Sequence, residues 1–241
     1  MNVSLEIESR DKLLHTATIS PSRVYNLGSA TRQIADARPH QDEVADAGVA
    51  IALDIPAPRV YPISPHNLTT GDELLVHNSQ TSGEVEIVLL ATEGQTFIGV
   101  GSDHTDRALE KTSILWSKQA YPNVLAPRFW YLEDLRDHWD QLILRSWVDS
   151  QLYQEFQTKI FLPPDELLTC LAERVGILPA SFLLFSGTYV SIEKSLGFGK
   201  NWEFELSDPV LGRKIRHKYT TTNILEEIHE EHRVPLERST D

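Results

Sequence analysis

Apolar residues recur along this chain mostly at a spacing of two, with shorter stretches at a spacing of three to four. Val3, Leu5 and Ile7 alternate with Ser4, Glu6 and Glu8, which predicts an opening strand with one wet face. Residues 24–28 predict a second strand that stops at Gly28. From 30 to 44 the pattern suits a helix, with an expected break at Pro39, a restart with Pro39 in the first turn, and an end at Gly48. Pro56, Pro58 and Pro62 make 55–63 an extended segment. Further strands are expected at 74–77, 83–90, 97–100, 142–148, 182–189 and 202–206. Helices are expected at 108–115 and 130–139, with a loop at 116–122 between them. Pro163-Pro164-Asp165-Glu166 opens another helix through Leu167, Leu168, Leu171 and Val175, closed by Gly176. The charged tail from Glu226 is expected to be loose at its end. Strands outnumber helices and no internal repeat or linker interrupts them. The expectation is one mainly β domain of α+β class over residues 1–241, with about the first 50 residues as a small piece and lid.

Two carboxylates break the most apolar of these runs. Residues 83–90 read Gly-Glu-Val-Glu-Ile-Val-Leu-Leu, and in a strand Glu84 and Glu86 point to the same face. Ionised carboxylates side by side in an apolar strand repel each other and lack solvation. A hard divalent cation, which prefers oxygen ligands, is the usual compensation. The run 97–100 then leads into Gly101-Ser102-Asp103-His104-Thr105-Asp106-Arg107, adding a third carboxylate at a strand end. A Glu-x-Glu facing water is the plain alternative. Val85, Ile87, Val88, Leu89 and Leu90 argue against it, because so continuous a run suits burial on both faces.

Earlier in the chain His40 and Glu43, at i and i+3, share a helix face. They are either ordinary surface residues or a dyad in which Glu43 orients His40 as a base.

Charge and cysteine usage narrow the partners. A formal net charge of −13 argues against nucleic acid and anionic membranes. No run approaches the roughly 20 apolar residues of a membrane span, and the N-terminus lacks a signal-like apolar stretch. The single Cys170 excludes an intrachain disulfide and a cysteine-based metal cage. Cytoplasm is the expected location.

Glu84-Val85-Glu86 followed by Gly101-Ser102-Asp103-His104-Thr105-Asp106-Arg107 resembles the metal motif of the fumarylacetoacetate hydrolase superfamily. That motif is Glu-x-Glu, then a glycine-preceded Asn-Asp-x-x-x-Arg; the wording here is similar to that of an uncharacterised branch. Strand 24–28, His40 with Glu43, Gly48-Val49 and the proline-rich 56–62 follow the family's order. Lys118 stands in a segment similar to the family's Gly-Lys-x-x-Asp, and Gly187-Thr188 resembles its Gly-Thr-Pro, with Tyr189 in place of the proline. The resemblance spans roughly residues 24–206.

The resemblance implies a curved, mixed β-roll with peripheral helices, and a homodimer. It implies Mg²⁺ (or Mn²⁺ or Ca²⁺) on Glu84, Glu86 and Asp103, with His40, Glu43 and Lys118 catalytic. Arg107, Gly187 and Thr188 would face the substrate, a small carboxylic acid; His104, a departure from the family beside Asp103, is expected on the substrate side as well. The implied reaction is hydrolytic cleavage of a carbon–carbon bond in an acylpyruvate-like or 1,3-dicarbonyl acid by a His40-activated water. Decarboxylation, isomerisation or hydration of a 2-keto acid on the same site is a second reading, and a non-catalytic, metal-stabilised binding module is a third. The chain departs from the family between Glu86 and Asp103, where a shorter segment leaves no room for an intervening helix. Glu110 stands where many members carry Gln.

Overall fold

Strands dominate the computed structural model, which describes residues 2–52 and 54–235. The chain runs β1 (Val3–Glu8), β2 (Leu14–Ile19), β3 (Arg23–Gly28), α1 (Ile34–Asp46), β4 (Arg59–Ile63), β5 (Leu68–Thr69) and β6 (Glu73–Val76). It continues through β7 (Thr81–Ser82), β8 (Val85–Thr92), β9 (Gln95–Ser102), β10 (Thr105–Asp106), α2 (Arg107–Glu110), α3 (Ile114–Ala120), β11 (Asn123–Leu125) and β12 (Arg128–Tyr131). It ends with β13 (Ile143–Val148), β14 (Gln151–Gln157), α4 (Pro164–Val175), β15 (Ser181–Phe185), β16 (Asn201–Asp208) and β17 (Arg213–Asn223).

A curled ten-stranded sheet orders its strands β2-β1-β12-β9-β8-β15-β3-β4, with β11 and β5 branching from β9. A five-stranded sheet, β14-β13-β16-β17-β6, packs beside it. The large sheet is mixed: β1 with β12 and β15 with β3 run parallel, while β8, β9 and β15 pair antiparallel. This is the mainly β, curved α+β fold expected.

The continuous apolar run of β8 has a direct cause. Val85, Ile87 and Leu89 enter the larger core, shared with the second sheet. Val88 and Leu90 enter a second core on the opposite face, with Phe129, Leu183 and Phe185. Glu84 and Glu86 have the parity of Val88 and Leu90, so they lie on that second face, beyond the end of its apolar filling. A two-residue turn at Glu93-Gly94, both with positive φ, joins β8 straight to β9, so no helix intervenes. The β8–β9 register sets Ser102 opposite Val85 and Gly101 opposite Glu86. Asp103 therefore falls opposite Glu84, its N–H donating to the Glu84 carbonyl at 3.1 Å.

Several expectations fail locally. The α1 helix runs unbroken through Pro39 instead of restarting there. Proline removes a bond to the Ala35 carbonyl, but Ala35 is exposed and water can take that acceptor. Residues 116–120, expected as loop, belong to α3, which is capped by the Ser113 hydroxyl accepting from Trp116 N–H at 3.2 Å. The helix expected over 108–115 shrinks to the single turn of α2. Trp130, expected in a helix, lies in β12 opposite Ile98, because burial in the sheet outweighs local preference; only 3₁₀ turns follow. The strands β2, β14 and β17 were not anticipated.

Candidate metal centre and active site

The large sheet and the helices α1, α2 and α3 line a cavity of about 70 Å³. Glu84, Glu86, Lys118, Gly187 and Thr188 line one side; His40, Gln41 and Val44 of α1 cover the other. Carboxylate oxygens of Glu84, Glu86 and Asp103 lie within 4.8 Å of one another, all three residues buried.

The charges around these carboxylates are uneven. Glu84 receives Arg107 Nη2 at 2.9 Å and Lys118 Nζ at 3.1 Å. Burial alone would raise its pKa, but Lys118 and Arg107 outweigh burial and hold it well below the usual carboxylate range. Glu86 accepts only the Gly187 N–H, at 2.8 Å, among the described residues. Burial, reinforced by the neighbouring Asp103, pushes its pKa well above the usual range. Lys118 Nζ also contacts Asp103 Oδ2, while Asp103 Oδ1 is buried with no hydrogen-bond partner. Burial opposes a charged Lys118, yet Asp103 and Glu84 outweigh it and keep the ammonium protonated.

These residues fit a divalent cation. The donors are all hard oxygens, one is orphaned, and the positive charge supplied by the chain is spent on Glu84 and one oxygen of Asp103. Magnesium, manganese and calcium all suit such a donor set.

His40 faces this cluster from α1. Its Nδ1 is 2.9 Å from Glu43 Oε2 and its Nε2 is 3.5 Å from Glu84 Oε1. Burial would lower the imidazole pKa, but the bonds and charges of Glu43 and Glu84 raise it to about 9. Glu43 is itself fastened from outside the helix: its Oε1 accepts the Ser191 hydroxyl and, at 3.2 Å, the Ser191 N–H.

The structure thus brings together Glu84, Glu86, Asp103, His40, Glu43, Lys118, Gly187 and Thr188. Two residues expected to face substrate are placed elsewhere. Arg107 is fully buried, donating to Ser82 Oγ at 2.6 Å, Glu110 at 2.7 Å and Glu84, so its guanidinium braces the cluster from behind. His104 has no exposed surface. It packs edge-on to Trp202 and Tyr219, with Nδ1 2.9 Å from the Tyr219 hydroxyl. Burial and the Arg107 charge lower its pKa to about 3, so it is a neutral core residue. In the link between β9 and β10, His104 turns with Ser102 toward Tyr219 while Asp103 joins Glu84 and Glu86, so the adjacent residues do not both serve the cavity. Thr188 lines the cavity, but its hydroxyl donates to the Val85 carbonyl at 2.8 Å and accepts from Gln154 Nε2 at 2.9 Å.

Cavity-lining Arg59 and Tyr61, and Ser191 behind Glu43, were missed from sequence. The alternation of Arg59 and Tyr61 in an extended segment was the available signal for the first two; Ser191 carried none.

The architecture and the buried acidic triad define the class: this is the fold of fumarylacetoacetate hydrolase family proteins. The structure of yeast ynq8, a fumarylacetoacetate hydrolase family protein, matches at TM-score 0.61 and 12% identity, over 84% of this chain and 94% of that one. A protein of Burkholderia cenocepacia, assigned as a fumarylpyruvate hydrolase, matches at TM-score 0.60 and 14% identity, over 92% and 95%. A 2-keto-3-deoxyarabinonate dehydratase matches at TM-score 0.58 and 16% identity, over 86% and 77%. By sequence, the profile of the family described as "Protein of unknown function (DUF2848)" matches residues 28–219, and the chain belongs to that family. No curated protein matches the chain. No helix among the described residues is long and apolar enough to cross a membrane.

Proposed function

We propose that this protein is a divalent-metal-dependent enzyme that hydrolyses a carbon–carbon bond in an acylpyruvate-like or 1,3-dicarbonyl acid. The observation that carries this reading is the His40–Glu43 pair, hydrogen-bonded at 2.9 Å and facing a buried Glu84–Glu86–Asp103 cluster across one cavity. A Mg²⁺ or Mn²⁺ ion held by the three carboxylates would supply Lewis-acid polarisation of the keto acid. A cation on Glu84 would offset the carboxylate charge that helps raise the His40 pKa, and the neutral ring, oriented through Nδ1 by Glu43, would take the proton of the attacking water at Nε2. Glu43 stabilises the imidazolium so formed and is kept in place by Ser191. Lys118 offsets negative charge that develops on the departing fragment. Arg107 holds Glu84 in its ligating position. Gly187 and Thr188 shape the wall against which substrate rests.

Incubation with an acylpyruvate and Mg²⁺ in ¹⁸O-labelled water tests the reaction. Pyruvate and the free acid should appear, with label in the acid, and His40→Ala should lose turnover while retaining metal. Release of CO₂, or a fully active His40→Ala variant, overturns the hydrolase reading.

A lyase or isomerase acting on a 2-keto acid is the second reading. It is supported by the dehydratase among the proteins sharing this fold, and loss of water without fragmentation would identify it. Pairing of two copies is also part of the proposal. Trp116 on α3, 62% exposed beside Leu115, supplies apolar surface for it. Sedimentation at the monomer mass would refute pairing.

A further inference from the structure

β4 carries two side chains into the cavity that have no role in the reaction above. β3 and β4 pair with Gly28 opposite Arg59 and Asn26 opposite Tyr61. Arg59 and Tyr61, two residues apart, share a strand face, and both line the cavity with Glu84, Glu86 and Lys118. The absence of a side chain at Gly28 gives Tyr61 its place: a Cβ there would lie 3.0 Å from the phenol ring.

Arg59 is unusual among the buried cations. It is only 7% exposed, yet it meets no carboxylate within salt-bridge distance among the described residues. Buried Arg107 pairs with Glu84 and Glu110, and buried Arg213 with Asp208 and Asp134. The Arg59 Nε donates to the Ala52 carbonyl at 2.8 Å and Nη1 to Ser29 Oγ at 3.3 Å. Its Nη2 has no partner among the described residues. A largely buried guanidinium with a free amino group on a cavity is suited to meet an anion there, and its planar fork matches a carboxylate. Apolar Leu27, Val44, Ile51 and Ile114 line the same cavity, as a short carbon chain requires.

We propose that Arg59 anchors a second carboxylate of the substrate, so that the preferred ligand is a 2-keto diacid with its keto-acid end at the Glu84–Glu86–Asp103 cluster. The proposal rests on reading that cluster as the metal centre. Tyr61 lines the same cavity as the two ends. Burial raises its pKa, while the charges of Lys118 and Arg59 both act against that rise, as expected of a hydroxyl within reach of both cations. Ser29 links the anchor to the cover of the cavity, since its hydroxyl also accepts Gln41 Nε2, on α1, at 2.9 Å. An anion on Arg59 thus sits beside the helix that carries His40.

Calorimetry on the full chain with saturating Mn²⁺ and three probes tests this. Oxalate can occupy only the metal end; 2-oxoglutarate and 2-oxopentanoate share a five-carbon chain and differ in whether it ends in carboxylate or methyl. The wild-type chain should bind 2-oxoglutarate about tenfold or more tightly over 2-oxopentanoate, the scale of one charge-assisted pair. Arg59→Met should erase that preference and leave oxalate affinity unchanged. If Arg59→Met does not fold, Arg59→Gln gives the same comparison. Equal binding of the two keto acids by wild type, or a preference that survives the substitution, overturns the anchor while the metal centre stands. Failure of oxalate to bind in a Mn²⁺-dependent way removes the metal centre and the anchor with it.

Discussion

His40 Nε2 stands 3.5 Å from Glu84 Oε1, so the ring carried by α1 reaches the first carboxylate of the β8 cluster across the cavity. Because Nδ1 is already committed to Glu43, Nε2 is the nitrogen left for a water or substrate proton. Glu43→Gln should therefore lower kcat about 100-fold with little change in KM, the range of general-base assistance. Steady-state kinetics on a turned-over keto acid gives the answer, and an unchanged kcat would remove Glu43 from the reaction.

A cation that binds only the folded chain should stabilise it by about 2.7 kcal/mol at a hundredfold excess over Kd. Thermal unfolding with Mn²⁺ should show this as a rise in Tm that a chelator reverses. Glu86→Gln should abolish most of the rise, since it removes one of three converging donors. The same Mn²⁺ shift in both proteins would exclude Glu86 as a ligand.

The α1 helix should behave as a lid. A cavity of about 70 Å³ holds only a few waters, so a keto diacid enters only if its cover moves. The helix buries just Ala37, Glu43 and Val44 and carries Pro39 in its interior, so its local stability should be low. Hydrogen exchange across residues 30–47 should slow several-fold with Mn²⁺ and oxalate, on the order of 1 kcal/mol of added local protection. Equal and strong protection in both states would count against a lid.

Gly83 is a position where even a methyl group should be felt at the site. A Cβ there would lie 2.6 Å from the Tyr219 hydroxyl and 2.9 Å from Ser102 Oγ, both buried. Gly83→Ala should cost about 2 kcal/mol by overpacking and shift the adjacent Glu84, weakening metal binding as well. Urea unfolding and Mn²⁺ titration should move together; wild-type values in both would contradict the packing.

Asp208 governs part of the acid limb of stability. Burial pushes its pKa up, but the Leu211 N–H, His138 and Arg213 outweigh burial and hold it below the ordinary aspartate value. Its contribution is complete above that ordinary value and is lost as pH falls through the lower, folded one. Asp208→Asn leaves buried Arg213 with only the longer 3.7 Å pair to Asp134 and should cost about 2 kcal/mol near neutrality, with a flatter loss in acid. Parallel wild-type and variant curves down to low pH would show that Asp208 contributes nothing to acid unfolding.

The sequence by itself determined the two strands that hold the triad, and the reason is local. Residues 85–90 are apolar on both faces, and a period of two forces Glu84 and Glu86 onto one of them. The spacing to Asp103, too short for a helix, left only a hairpin. His40 and Glu43 were equally visible, because i and i+3 on a helix must be neighbours. The strand β17 was visible in principle, since Arg213, Ile215 and Tyr219 are buried while Lys214, Arg216 and Lys218 face water, but its charge obscured the alternation.

Only the tertiary structure decided how these pieces meet. The pairing of β3 with β4 sets Arg59 and Tyr61 beside the cluster, and nothing near residue 59 in the chain signals a carboxylate cluster 25 or more residues away. The separation of His104 from Asp103 follows from which side of the β9–β10 link the second sheet covers. The Ser191 contact to Glu43 spans 148 residues. Local spacing fixes which side chains share a face; which face becomes a cavity depends on long-range packing, and that packing is settled by burial of the whole sheet rather than by any one segment.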